Sequence, residues 1–227
     1  MTRRLNVPWP DARPFAGRDE RPIRILAASD EPDRALEVAA NREALAPIDL
    51  VVGCGDLSPE WLSFLGDAFV APLVFVRGNH DARGPWPLPR LVPIPAAGVD
   101  ERSLPGIPII ALPWPTYEQG KARRDERGAW AQVAGVGWRR LLKPNPNALV
   151  LSHVPPRGLG DTPDDPYHVG FAAYAFLNQR VHPTLWLHGH TNLAAQPSWR
   201  VQAGATTVVN VTGSVLVELA PPRDVAF

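Results

Sequence analysis

The sequence predicts an α/β fold with a largely parallel sheet core. Three observations carry this. Short apolar runs of strand length recur along the chain, and segments with helical spacing separate them. Several of the runs end in polar residues, often around glycine. Right-handed crossovers would bring those ends to one sheet edge, where such folds bind ligands.

The elements follow in order. "IRILAAS" (23–29) is rich in Ile and Leu and reads as a buried strand. "PDRALEVAANREALA" (32–46) places Leu36, Ala39, Ala40 and Leu45 at helical spacing, with Pro32 and Asp33 suited to a helix start. "IDLVVGCGD" (48–56) is a second buried strand. In "SPEWLSFLGDAF" (58–69), Ser58 is the N-cap and Pro59 the first helical residue. Trp61, Leu62, Leu65 and Phe69 share one face of that helix. "PLVFVRGNHD" (72–81) is the third strand.

The second half repeats the grammar less regularly. Strands are predicted over 107–114, 147–156, 184–192, 206–213 and 214–220, and helices over 128–142 and 170–181. Residues 1–20, polar and proline-bearing, read as an N-terminal arm before one domain over 21–227. Prolines, 27 in all, crowd 82–115 and 154–166 and predict loops over a rigid scaffold.

Bulk properties narrow the function. The chain has 227 residues, 45% hydrophobic and 20% charged, as expected of one large globular domain. Its 23 basic and 23 acidic residues cancel, which disfavours nucleic acid as a partner. No apolar run has the length of a membrane span or a signal peptide. The one cysteine, Cys54, cannot form an internal disulfide, and the cytoplasm is the predicted compartment.

The chemistry gathers at the predicted strand ends. Asp30 ends the first strand, Asp56 the second, Asn79 and His80 the third. His153 ends a later strand, and His188 and His190 another. Such a mixed set of oxygen and nitrogen donors suits divalent ions such as Mn, Fe or Zn.

The ordered motifs "SD", "GD", "GNHD", "SHVPP" and "GHTN" across residues 29–192 resemble the calcineurin-like metallophosphoesterase family. "GATTVVNV" (204–211) is similar to that family's closing strand. The resemblance implies a two-sheet sandwich flanked by helices. It implies hydrolysis of a small phosphomonoester or phosphodiester by a metal-activated water between two ions. Asp56 would bridge the ions, and Asn79, His153 and His190 would complete one ion's shell. Asp30 would hold the other ion, and His80 would act near the leaving group as general acid or charge stabiliser.

Two positions depart from the family pattern. Pro32 stands where a histidine ligand is expected after Asp30, and Asn192 where the last motif ends in histidine. Both departures fall on one ion. That position would keep Asp30, Asp56 and the Asn192 oxygen, an all-oxygen set suited to weaker Mn or Mg. The alternative implied by the same departures is a catalytically weakened or inactive protein that senses a ligand or binds a protein.

Other polar residues have plainer readings. Asp81 orients His80 or caps a turn, and His188 has a buried structural role. His168 contacts substrate phosphate or lines its loop. His182 is a solvated helix end, and Cys54 a small buried side chain. The tryptophans of "WPLP" and "PWPTY" pack their loops or line a cleft. Lys121, Arg123, Arg124 and Arg127 form a candidate local basic patch.

Overall fold

The structure, a computed structural model, describes residues 2–81, 96–118, 121–122, 124–137, 141–142, 144–194 and 196–222. "WPLP" and Arg123 lie outside the described residues. In chain order the strands are β1 (Arg3–Pro8), β2 (Ile23–Ser29), β3 (Leu50–Cys54), β4 (Leu73–Val76), β5 (Gly98–Asp100), β6 (Ile109–Leu112), β7 (Tyr117–Glu118), β8 (Lys121–Ala122), β9 (Leu149–Ser152), β10 (Leu185–His188), β11 (Arg200–Ala203), β12 (Thr206–Asn210) and β13 (Gly213–Ala220). The helices are α1 (Ala39–Glu43), α2 (Pro59–Phe69), α3 (Glu126–Gly135) and α4 (Ala172–Val181).

The strands form two main sheets, ordered β1-β13-β2-β3-β4 and β11-β12-β10-β9-β6-β5. β2, β3 and β4 run parallel in the first, and β6, β9, β10 and β12 in the second. The predicted two-sheet sandwich flanked by helices is the observed fold. Alternation along each strand decides which side chains enter which layer. Ile25, Ala27, Val52, Leu149, Leu151 and Leu187 fill the space between the sheets. The intervening Leu26, Ala28 and Val51 meet Trp61, Leu62, Leu65 and Phe69 of α2 on the outer face. Val150 and Trp186 meet Ala129 and Val133 of α3 and Leu177 of α4 on the other.

Two predicted helices changed shape. The segment 32–46 divides into a 3-10 turn at Arg34–Glu37 and the short α1, with Val38 extended between them. Side chains sustain the break. The Asn41 amide donates to Ala35 O, and the Arg42 guanidinium donates to Leu36 O and Glu37 O, carbonyls that a continuous helix would use itself. Asp33 caps the 3-10 turn, accepting from Ala35 N at 3.1 Å. α3 starts two residues before the expected 128 and ends at Gly135, with Gly137 at φ +97° just beyond; residues 138–140 of the expected helix lie outside the described residues. α2 begins as its sequence predicts, with Pro59 at its start and Ser58 Oγ accepting from Trp61 N at 3.2 Å.

The arm expected over 1–20 is built into the body instead. β1 pairs parallel with β13 from Arg3 to Pro8. Leu5, Val7, Trp9 and Phe15 are buried in the core between the sheets, Trp9 to 1% exposure. Leu5 and Val7 alternate with exposed neighbours, so the strand period lay beneath the polar composition. β5, β11 and the β7–β8 ribbon were not expected either.

Candidate metal centre

Backbone bonds bring the strand ends together. Asp30 N donates to Gly55 O at 3.2 Å, joining the ends of β2 and β3. Gly189 N donates to His153 O at 3.0 Å, joining the ends of β10 and β9. Asp81 Oδ2 accepts from both Gly78 N at 2.7 Å and Asp56 N at 3.0 Å, fixing the loop after β4 against the loop after β3. Asp81 therefore positions the site's backbone, and its own carboxyl is pushed above the ordinary range by burial.

The site holds its residues in uncommon backbone conformations. Asp30, Asp56 and His190 all lie in the left-handed region, with φ of 59°, 56° and 68°. Such conformations cost roughly 1–3 kcal/mol each in non-glycine residues and collect at functional sites. The neighbouring glycines permit the crowding. A Cβ on Gly78 would overlap the Asp56 carboxylate and approach the His153 ring, and one on Gly189 would overlap Asp30 and Ser29.

His153 is at the centre and fully buried. Its Nδ1 lies 2.8 Å from Cys54 O, which can only accept, so Nδ1 carries a proton. Its Nε2 lies 2.8 Å from Asn79 Oδ1 and 3.1 Å from Asp56 Oδ2. A bare ring nitrogen facing a carboxylate and an amide oxygen is well served by a cation between them. Without a metal that cation is a proton. Burial opposes charge on the ring, but the hydrogen bond and charge of Asp56 outweigh it and raise His153 to about 9. The same convergence of lone pairs fits a divalent ion. Ligand atoms of Asp30, Asp56 and His153 all lie within 4.8 Å of one another.

His190 behaves in the opposite way. Its Nε2 lies 2.8 Å from Tyr167 O and so carries the proton. Burial, then the neighbouring charge of His153, lowers it to about 3, so the ring is neutral and Nδ1 keeps its lone pair. The His153 and His190 ring centroids are 4.9 Å apart, and Trp114 packs near both. Asp30 faces the His190 backbone N–H at 3.1 Å and also accepts from Ser29 and from Thr212 Oγ1 at 3.2 Å.

A cavity of about 480 Å³ opens over these groups. Asp30, Asp56, Asn79, His80 and His190 line its polar side. His80 is exposed there, and its backbone N–H donates to Asp56 Oδ1 at 2.8 Å. Trp114, Arg124, Pro166, Tyr167 and His168 form the rest of the wall.

Six of the sequence-predicted site residues thus come together: Asp30, Asp56, Asn79, His80, His153 and His190. Asn192 does not join them. Its side chain is exposed, and its Oδ1 accepts from Ala194 N at 2.7 Å, closing a local turn. Short side-chain amides favour such bonds to their own backbone. Pro32 and Glu31 are also exposed. His188 is buried, with Nδ1 2.9 Å from Gly189 O, and burial lowers it to about 4. Its structural reading fits. Sequence reasoning missed the Tyr167 carbonyl, and it grouped Arg124 with a surface patch. Their loops carry no periodic signal, although the second proline cluster marked the loop that holds Tyr167.

Fold and site together define a class: a two-sheet α/β protein with a candidate metal centre at its strand ends. A family model described as calcineurin-like phosphoesterase matches residues 23–193, and the chain belongs to that family. No curated protein matches the chain. Among solved structures, one crystal structure has a TM-score of 0.58 at 16% identity, covering 87% of this chain and 95% of that one. TT1561 of Thermus thermophilus has a TM-score of 0.53 at 16% identity, over 85% of this chain and 90% of that one. A dimetal phosphatase from Danio rerio has a TM-score of 0.50 at 11% identity, over 85% and 88%. At these identities the likeness is one of fold. No helix among the described residues is long and apolar enough to cross a membrane.

Proposed function

We propose that the protein hydrolyses a small phosphomonoester or phosphodiester with the help of a divalent ion, Mn being the first to try. The observation that carries this is the buried His153 Nε2 facing Asn79 Oδ1 and Asp56 Oδ2, a lone-pair cluster suited to a cation. Asp56, Asn79 and His153 would hold the ion, with His190 beside them through Nδ1. The ion, when bound, supplies positive charge that polarises a phosphoryl oxygen and acidifies water.

The remaining roles belong to the chain. Asp81 fixes the Asp56 and Gly78 backbones, so the acceptors need no reorganisation when substrate arrives. Asp56 orients the His80 backbone, keeping that imidazole at the cavity mouth, where it can give a proton to the departing ester oxygen. Trp114, buried beside both rings, shields the imidazoles from bulk water on one side.

A second position, of Asp30 with Asp56, would hold a weaker, exchangeable Mn or Mg. The outward Asn192 and the exposed Pro32 support that weakness. They also favour the second reading, a weakened phosphoesterase that serves as a ligand sensor. Turnover of an aryl phosphoester with Mn added, abolished in His80→Ala, supports the hydrolase. Absence of turnover with Mn, Mg, Zn or Fe supports the sensor.

A further inference from the structure

The cavity has one feature that the metal centre does not use. Arg124 lines it, contributed by the residue just before the N-cap of α3. The guanidinium is held rigidly. Nη1 donates to Val169 O at 2.5 Å and Nη2 to Gly170 O at 3.0 Å, and the group lies over the Phe171 ring, 4.8 Å from its centroid. These contacts use two of its five N–H donors. Among the described residues no carboxylate forms an ion pair with it. Burial pulls its pKa below the ordinary arginine value, with the charge of Glu126 acting the other way. A preorganised, partly desolvated cation with donors to spare, beside a phosphate-sized space, is built to meet an anion.

We propose that Arg124 is the anion-holding group of this cavity and that it selects a phosphomonoester dianion over a phosphodiester. The proposal rests on the reading of the cavity as a phosphoryl site. A monoester carries three terminal oxygens and a diester two, so a monoester would keep one for the guanidinium even if the metal centre held two. A diester places its second ester arm at that position. It then desolvates the charge without pairing it.

Calorimetry on the Mn-loaded protein tests this without turnover, using inorganic phosphate as the monoester-like probe and dimethyl phosphate as the diester-like probe. Phosphate should bind wild type at least about 10-fold more tightly than dimethyl phosphate. Arg124→Met should weaken phosphate roughly 30- to 100-fold and remove the preference, while Arg124→Lys restores part of it. Arg157→Met is the folding control. It also loses a bond to Gly170 O, at 3.2 Å, but does not line the cavity and acts on Arg124 only through its charge, so the preference for phosphate over dimethyl phosphate should survive in it. A wild type without the preference, or an Arg124→Met protein that keeps it, overturns the proposal. Turnover of an aryl phosphate is measured alongside. No turnover, with the arginine-dependent preference intact, would sink the hydrolase reading and leave this one standing.

Discussion

His153 and Asp56 come from different sheets and meet with Nε2 3.1 Å from Oδ2. Their meeting requires the ends of β9 and β3 to face each other across the core, so it couples the fold directly to the chemistry. It also sets how the site responds to pH.

His153 must lose its proton before it can ligate an ion. Its pKa is raised to about 9, so the ring is charged at neutral pH in the metal-free protein. Asp56 is held below the ordinary carboxylate range through His153 despite its burial, and His190 is lowered to about 3, so neither brings a proton. Binding an ion at pH 7 should therefore release close to one proton. Affinity should rise about tenfold per pH unit and flatten near 9. Calorimetry in buffers of contrasting ionisation enthalpy counts that proton, and a count of two would exclude the assigned state of His190. In the metal-free protein the sign follows from the raised pKa. The stabilisation is complete below about 6.5 and is lost as pH climbs through about 9.

His188 predicts an acid effect of the other sign. Burial lowers it to about 4, so the unfolded chain takes up a proton that the folded one refuses. Its contribution is present above about 6.5 and is lost as pH falls toward 4, about 1.4 kcal/mol per pH unit within that window. His188→Asn should flatten the dependence of unfolding free energy on pH by close to one proton. An unchanged slope in denaturant titrations would count against this.

Gly78→Ala should damage the centre without replacing a ligand. The new methyl would overlap the Asp56 carboxylate. Overpacking of this kind costs about 1–3 kcal/mol, and Mn affinity should fall with it. Thermal melts with and without Mn separate the two effects, since only the Mn-dependent gain in Tm reports the site.

Trp9→Ala tests the N-terminal strand. Trp9 is buried to 1% exposure, and removing an aromatic from a core costs about 3–5 kcal/mol. A loss under 1 kcal/mol in urea unfolding would mean that β1 is not part of the cooperative core.

How much was legible divides along physical lines. Asp30, Asp56, Asn79, His80, His153 and His190 could be read because each follows an apolar run of strand length, parallel strands deliver their ends to one edge, and the ordered motifs resemble the family's. Asn192 could not be placed because its side chain has a local alternative, the Ala194 N–H, that no spacing rule weighs. Arg124 and Tyr167 reach the cavity from loops, and loop geometry follows from particular carbonyl contacts such as those of Val169 and Gly170. β1 was hidden by composition: its arginines and asparagine obscured an alternation that Leu5 and Val7 carry. The break at Val38 came from side chains competing for backbone carbonyls, which helical spacing does not register.

The most direct test of the account is a Mn titration of metal-stripped protein, with the ions per chain counted by elemental analysis. Wild type should bind one Mn tightly and a second at least about tenfold more weakly, in keeping with an all-oxygen second position. Asp56→Ala should lose the tight ion, and Asn192→Ala should bind as wild type does. Two ions of equal affinity, or a tight ion that survives Asp56→Ala, would contradict the assignment of the centre.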